Sequence, residues 1–151
     1  MNNPNLKIKL MAHAEELGLP FYATKGSAGM DVKAAIPEDS PITIKPFERK
    51  LIPLGIQSSF DNNFEIQMRP RSGMALKKGL SIPNSPATID SDYRGEWGVI
   101  LINLSNEDIQ INRGDRIAQV IMCPVAKATI VKVDSLDDSE RGGGGFGSTG
   151  V

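Results

Sequence analysis

Ten prolines and fifteen glycines cut this chain into many short apolar runs. Proline cannot donate to a sheet ladder, and glycine weakens a strand interior, so both end strands. Short apolar runs so punctuated are the pattern of an all-β sandwich or barrel. The runs that read as strands are Leu6–Met11, Met30–Ala34, Ile42–Ile44, Arg49–Ile56, Phe64–Arg69, Leu80–Ile82, Ala87–Asp90, Val99–Asn103, Ile109–Ile111, Arg116–Met122 and Thr129–Val133. Phe64, Ile66 and Met68 alternate with Glu65, Gln67 and Arg69, which predicts a half-exposed strand. Val99 to Ile102 is continuously apolar and predicts a strand buried on both faces. One short helix is expected, with Ser72 as N-cap, Gly73 to Lys78 as body and Gly79 as terminator.

At 151 residues the chain reads as one domain, with a β body over 1–134 and an acidic hinge and arm over 135–151. The acidic stretch Asp134–Glu140, with Asp134, Asp137, Asp138 and Glu140, leads into the arm and reads as exposed. A net charge of −1 argues against nucleic-acid binding through bulk positive charge. No apolar run approaches membrane-spanning length, and no membrane partner is expected. The first residues show neither a signal peptide nor a transit pattern, so the expected location is cytoplasmic. Cys123, the single cysteine, ends an apolar run and reads as a buried inert thiol. His13, the single histidine, sits in a polar helix-like or turn segment and is expected at the surface. Without a second histidine or a Cys/His cluster, neither a zinc site nor a triad built on histidine is expected.

The C-terminal stretch from Arg141 to Val151 holds six of the fifteen glycines, one arginine, one aromatic ring and two adjacent hydroxyls. It has two readings. One is a solubilising tail. The other is an arm that closes over an anion, with Arg141 as a bidentate fork, Ser148 and Thr149 as donors, and Phe146 stacked on a base. The helix start, Arg71-Ser72-Gly73 after Arg69-Pro70, is likewise either an ordinary capped turn or a phosphate cradle. Asp31, Asp90 and Asp92 lie in turn-rich segments, where aspartate is either a turn former or a catalytic group. Asp90 gains weight because it follows an apolar strand able to hold its rotamer. Tyr93 reads as a rim aromatic or as a platform under a sugar, and Asn84, between prolines, as a turn residue or a base-reading amide. Together these parts fit hydrolysis of a nucleoside triphosphate, without a Walker-type phosphate loop.

Five segments, in order, carry a resemblance. They are Ala28 to Lys33, Arg69 to Ala75, Asn84 to Glu96, Arg113 to Gln119, and Arg141 to Gly150. The chain resembles the trimeric dUTPase family along nearly its whole length. The resemblance implies a homotrimer of jelly-roll-like β subunits, with active sites built from three chains. It implies conversion of dUTP and water to dUMP and pyrophosphate with Mg²⁺ carried mainly by the triphosphate. That reaction would limit uracil incorporation into DNA and supply dUMP for thymidylate synthesis. Asp90 matches the aspartate that activates the attacking water. Asp31 matches one that meets the metal indirectly, through water. Arg71, Ser72, Gly73 and Gln119 match phosphate contacts. Asn84, with the backbone of Thr88, Ile89, Asp90 and Gly98, matches the reader of uracil and deoxyribose. Tyr93 matches a wall under the sugar, Phe146 a ring on uracil, and Arg141, Gly147, Ser148 and Thr149 the arm around the γ-phosphate. Two departures are small: Met30 replaces a usual leucine or aromatic residue, and Ala87 a common glycine. Two other readings remain, a dCTP deaminase on the same fold and a catalytically silent nucleotide-binding module. The intact run from Ile89 to Tyr93 favours hydrolysis over the deaminase, and the complete set of Asp31, Asp90, Tyr93 and Phe146 favours it over the silent module.

Overall fold

The computed structural model describes residues 4–145. Along them run β1 (Lys7–Leu10), a 3-10 helix (Ala12–Leu17), β2 (Phe21–Tyr22), β3 (Met30–Lys33), β4 (Ile42–Ile44), β5 (Arg49–Pro53) and β6 (Ile56–Ser59). They continue with β7 (Phe64–Arg69), α1 (Ser72–Lys78), β8 (Leu80–Ser81), β9 (Ala87–Ile89), β10 (Gly98–Asn103), β11 (Ile109–Ile111) and β12 (Arg116–Pro124). The largest sheet has the order β2-β3-β12-β7-β9; a second has β5-β10-β8, and β1-β6 and β11-β4 form pairs. Every pairing is antiparallel. The architecture is an all-β jelly roll with one short helix.

The core is aliphatic and centred on Trp97, whose indole N–H donates to Ser58 Oγ at 3.2 Å. Buried Asn103 is fully engaged: its amide donates to the carbonyls of Ile44 and Glu107, and its oxygen accepts from Ser105. Buried polar groups cost least when so satisfied. Glu48 closes the turn before β5 by accepting the Lys45 N–H at 2.9 Å and pairing with Lys50 at 3.1 Å. The Lys45 hydrogen bond first, and Lys50 second, hold its carboxyl below the usual carboxylate range.

Most expected strands form, and β7 buries Ile66 and Met68 while Gln67 and Arg69 stay half-exposed. Gly79 ends α1 in the left-handed region (φ 68°), its N–H donating to Ala75. Several expectations are corrected. The residue before the helix is Arg71, extended, and Ser72 is already helical; no side chain caps this end. Arg49–Ile56 is two strands, because Gly55 (φ 65°) turns the chain between β5 and β6. Val99 to Ile102 is not buried on both faces. Val99 and Leu101 point into the core, whereas Ile100 and its register partner Leu51 are 37% and 67% exposed. An antiparallel sheet can leave one face uncovered, and among the described residues Ile100 and Leu51 stay exposed on this one. Thr129–Val133 is no strand: Ile130 is 95% exposed, and β-branched residues without a neighbouring ladder have nothing to pair with. Cys123 is half-buried rather than buried. The two-residue β2 was too short to leave a periodic signal.

Gly55 holds the β5–β6 corner against the 3-10 helix. A Cβ on it would lie 2.0 Å from Ala14 Cβ, and Ala14 is fully buried. Gly55→Ala is therefore expected to destabilise the protein by about 2–5 kcal/mol, combining left-handed strain with overpacking. Urea unfolding of the two proteins measures this directly.

Candidate active site

Two groups of side chains form along the large sheet and its neighbour. The first surrounds the end of β9. Ile89 is buried and pairs with Ile66 of β7, so the following residue, Asp90, leaves the sheet at a fixed point. The Tyr93 N–H donates to the Asp90 carbonyl at 3.1 Å, closing a turn. The ring of Tyr93 folds back over Gly95, and its hydroxyl donates to the Glu96 carbonyl at 3.1 Å. A Cβ at position 95 would fall 2.3 Å from that hydroxyl, so only glycine admits the ring there. Leu51, Thr88, Ile89, Asp90, Tyr93, Glu96, Trp97 and Gly98 line a pocket of about 300 Å³. Its lining combines the apolar Leu51, Ile89 and Trp97 with the carboxylate-bearing Asp90 and Glu96. Such a pocket suits a flat, partly apolar group with polar edges.

The second group is charged. Asp31 of β3 lies opposite Gln119 of β12, which in turn lies opposite Arg69 of β7. The Asp31 carboxylate is nearly buried and pairs with two arginines, Arg71 Nε at 3.0 Å and Arg116 Nη1 at 3.1 Å. Arg71 also donates to the Arg116 carbonyl at 2.9 Å. Gln119 donates to the Pro70 carbonyl at 2.9 Å, and its side chain fills the space a Cβ on Gly29 would need. Two guanidiniums around one carboxylate leave an excess of positive charge, as an anion site requires. Ser72 and Gly73 stand exposed beside it at the first turn of α1.

The structure thus brings Thr88, Ile89, Asp90, Tyr93 and Gly98 into one pocket. Asp31, Arg71 and Gln119 gather separately, and none of them lines that pocket. Asn84 is exposed in the turn between β8 and β9 and is not among the lining residues either. Arg141 is exposed and donates to the carbonyl of Gly144 at 3.0 Å. Phe146, Gly147, Ser148 and Thr149 lie outside the described residues. His13 is at the surface, as expected, and bonds to Glu96 at 3.0 Å. Reasoning from sequence missed Arg116, the second partner of Asp31, and Glu96. Both sit inside the five segments, and an ionisable residue directly beside an apolar strand or a buried tryptophan was the available signal.

The dUTPase family model matches residues 15–150. A deoxyuridine 5'-triphosphate nucleotidohydrolase of Maricaulis maris (strain MCS10) is 52% identical over 151 residues, covering 100% of this chain and 99% of the relative. Another, of Methylocella silvestris, is 50% identical and covers 100% of this chain and 95% of the relative. Among solved structures, the dUTPase of Staphylococcus bacteriophage 80alpha with dUpNHpp superposes with a TM-score of 0.82 at 26% identity, over 97% of this chain and 99% of that one. A dUTPase of phage phi11 of S. aureus, described for its coordination of a structural Mg(II) ion, gives 0.77 at 21% identity, over 89% and 99%. The jelly-roll fold and these likenesses define a nucleotide-hydrolysing enzyme. The chain belongs to the dUTPase family, and its activity is that of a dUTP nucleotidohydrolase.

Proposed function

We propose that the chain hydrolyses dUTP to dUMP and pyrophosphate by in-line attack of a water on the α-phosphorus, with Asp90 as the base that orients and deprotonates that water. The observation that carries this reading is the pocket at the end of β9, where Asp90 and Tyr93 face one cavity. Uracil and deoxyribose occupy that pocket, read by the backbone of Thr88, Ile89, Asp90 and Gly98, with Asn84 reaching the base from the exposed turn between β8 and β9. Arg71, Ser72, Gly73 and Gln119 contact the phosphates. Arg141, Gly147, Ser148 and Thr149 close on the γ-phosphate, with Phe146 on the base. The product dUMP is a precursor for thymidylate, and removal of dUTP keeps uracil out of DNA.

The active sites are shared in a homotrimer. This explains why phosphate-contacting residues do not line the nucleoside pocket of their own chain: a second copy supplies them. The uncovered faces of Leu51, Ile100 and Leu104, and the exposed Ile130, Val131, Val133 and Leu136, support assembly. A monomer rarely exposes a contiguous apolar patch, and Leu51 and Ile100 stand side by side in register.

Among the described residues no group of three or more acids, histidines or cysteines is placed to hold a metal ion. Asp31 offers one carboxylate, already paired with two guanidiniums. That donor set fits Mg²⁺ carried by the triphosphate and met by Asp31 through water, not a cage made by the protein. When bound, the ion supplies charge neutralisation of the departing pyrophosphate. The chain's own residues supply the rest: Asp90 takes a proton, and the arginines and Gln119 fix the phosphates in line.

The test incubates the protein with Mg²⁺ and, separately, dUTP, UTP, dTTP and dCTP, following pyrophosphate and ammonia. Pyrophosphate from dUTP alone is expected. Ammonia from dCTP would make the site a deaminase, and silence on all four a binding module. Because an apolar pocket alone tolerates an added hydroxyl, Tyr93 is the wall that rejects ribose. Tyr93→Ala is expected to narrow the dUTP/UTP ratio of kcat/KM by about tenfold or more. An unchanged ratio would place sugar discrimination elsewhere.

A further inference from the structure

Tyr93 is nearly half exposed, so packing alone does not fix its ring. What fixes it is a chain of contacts through Glu96. The Tyr93 hydroxyl donates to the Glu96 backbone carbonyl at 3.1 Å. The Glu96 side chain reaches the other way, where Oε1 accepts the Gly55 N–H at 2.8 Å and bonds to His13 Nε2 at 3.0 Å. A carboxylate only accepts, so His13 donates from Nε2. Each of those anchors is itself tied down. Gly55 turns between β5 and β6 with φ 65°. The backbone carbonyl of His13 accepts from Arg113 at 2.7 Å, and Arg113 also donates to Ile36 at 3.0 Å. Next along the chain, the Trp97 N–H donates to Ile56 at 2.7 Å. Glu96 therefore joins the turn that carries the ring to the β5–β6 corner and to the 3-10 helix, and it lines the pocket.

We propose that Glu96, braced by His13, is a positioning residue for Tyr93 and through it sets selection of deoxyribose over ribose. The inference rests on the reading of Tyr93 as the sugar wall. Loss of the carboxylate frees the 93–96 turn, the hydroxyl loses its fixed acceptor, and the ring no longer stands where a 2'-hydroxyl would meet it. Glu96→Gln keeps an oxygen for the Gly55 N–H and so keeps most of the effect. His13→Ala removes one of the two side-chain ties and has an intermediate effect.

The experiment measures kcat and KM for dUTP and UTP in the wild type and in Glu96→Ala, Glu96→Gln, His13→Ala, Tyr93→Phe, Tyr93→Ala and the double variant Glu96→Ala/Tyr93→Ala, with thermal unfolding of each. Glu96→Ala is expected to narrow the dUTP/UTP ratio of kcat/KM by about tenfold, Tyr93→Phe to narrow it less, and Glu96→Gln to restore most of it. The double variant is expected to be no less selective than Tyr93→Ala alone, because both changes act on one ring. A lower unfolding temperature with an unchanged ratio in Glu96→Ala would reduce Glu96 to a structural brace and overturn the proposal. If Glu96→Ala does not fold, Tyr93→Phe decides: it cuts only the tie to the carbonyl, and an unchanged ratio there also overturns it. An unchanged ratio in Tyr93→Ala instead removes the reading of Tyr93 itself, and Glu96 falls with it.

Discussion

Asp90→Asn is expected to bind dUTP about as tightly as the wild type while kcat falls about 10²–10⁴-fold, the span general-base catalysis supplies. The geometry makes this a clean substitution. Ile89 anchors the end of β9 in the core, and the Asp90 carbonyl, not its side chain, accepts the Tyr93 N–H that closes the turn. Asparagine has nearly the same shape and is itself a good turn residue, so turn and pocket persist. What is lost is the capacity to accept a proton from the attacking water. An effect on kcat with KM held nearly constant marks an interaction made only in the transition state. Binding is read by titration with a non-hydrolysable analogue, and turnover by pyrophosphate release. A variant with turnover close to the wild type would exclude Asp90 as the base.

The parts of the fold that were legible are those where local pattern and final environment agree. Ile66 and Met68 alternate in sequence and alternate in burial. Gly79 follows a short helical run and takes the left-handed position that a helix end favours. The failures have a common cause, which is that a sequence shows apolar residues but not what covers them. Val99 to Ile102 looks buried on both sides because every residue is aliphatic, yet Ile100 and Leu51 face outward together. Thr129 to Val133 has the composition of a strand and, among the described residues, no ladder to join. In both stretches the composition is that of a buried strand, while burial is set by what packs against it, which composition does not carry. Gly55 shows a different limit. A single glycine within an apolar run split a strand in two, and only the buried methyl of Ala14 behind it shows why.

The candidate site was legible as residue types in order, and much less so as contacts. Asp90, Tyr93, Thr88, Ile89 and Gly98 are close in sequence, and one turn and one strand pairing suffice to gather them. Asp31 and Arg71 are forty residues apart, and their ion pair follows from β3 and the end of β7 both flanking β12, a register that no local pattern encodes. Arg116 was passed over because an arginine at the start of an apolar strand normally ends in water. Here it turns to a carboxylate two strand positions from where it starts, across the irregular register between Arg116 and Ala118. Glu96 was passed over for a related reason: its side chain and its backbone serve different partners, and only coordinates separate the two.

Removing residues 141–151 is expected to leave a folded trimer whose turnover on dUTP is about 10²–10³-fold lower, the loss typical of withdrawing a preorganised charge from a transition state. Stability is expected to stay because the buried core ends with Val120, and everything after β12 in the described residues is exposed or half-exposed. Among the described residues Arg141 donates to the carbonyl of Gly144 and forms no ion pair that its removal would break. The loss falls on catalysis for two reasons. In the proposed reaction charge builds on the leaving pyrophosphate, and without Arg141, Ser148 and Thr149 that charge would be left to water and to Arg71. The pocket around Asp90 also stays open, so bulk water competes with the one water that is in line. Arg141→Ala alone is expected to give a smaller fall in kcat, and Phe146→Ala a rise in KM through lost stacking on the base. Size-exclusion chromatography and thermal unfolding report the trimer and its stability, and single-turnover pyrophosphate release reports the chemistry. A truncated chain that assembles and turns over at the full rate would show that the glycine-rich stretch is only a tail, and that the charge of Arg71, Arg116 and the triphosphate-borne ion is enough to carry the reaction.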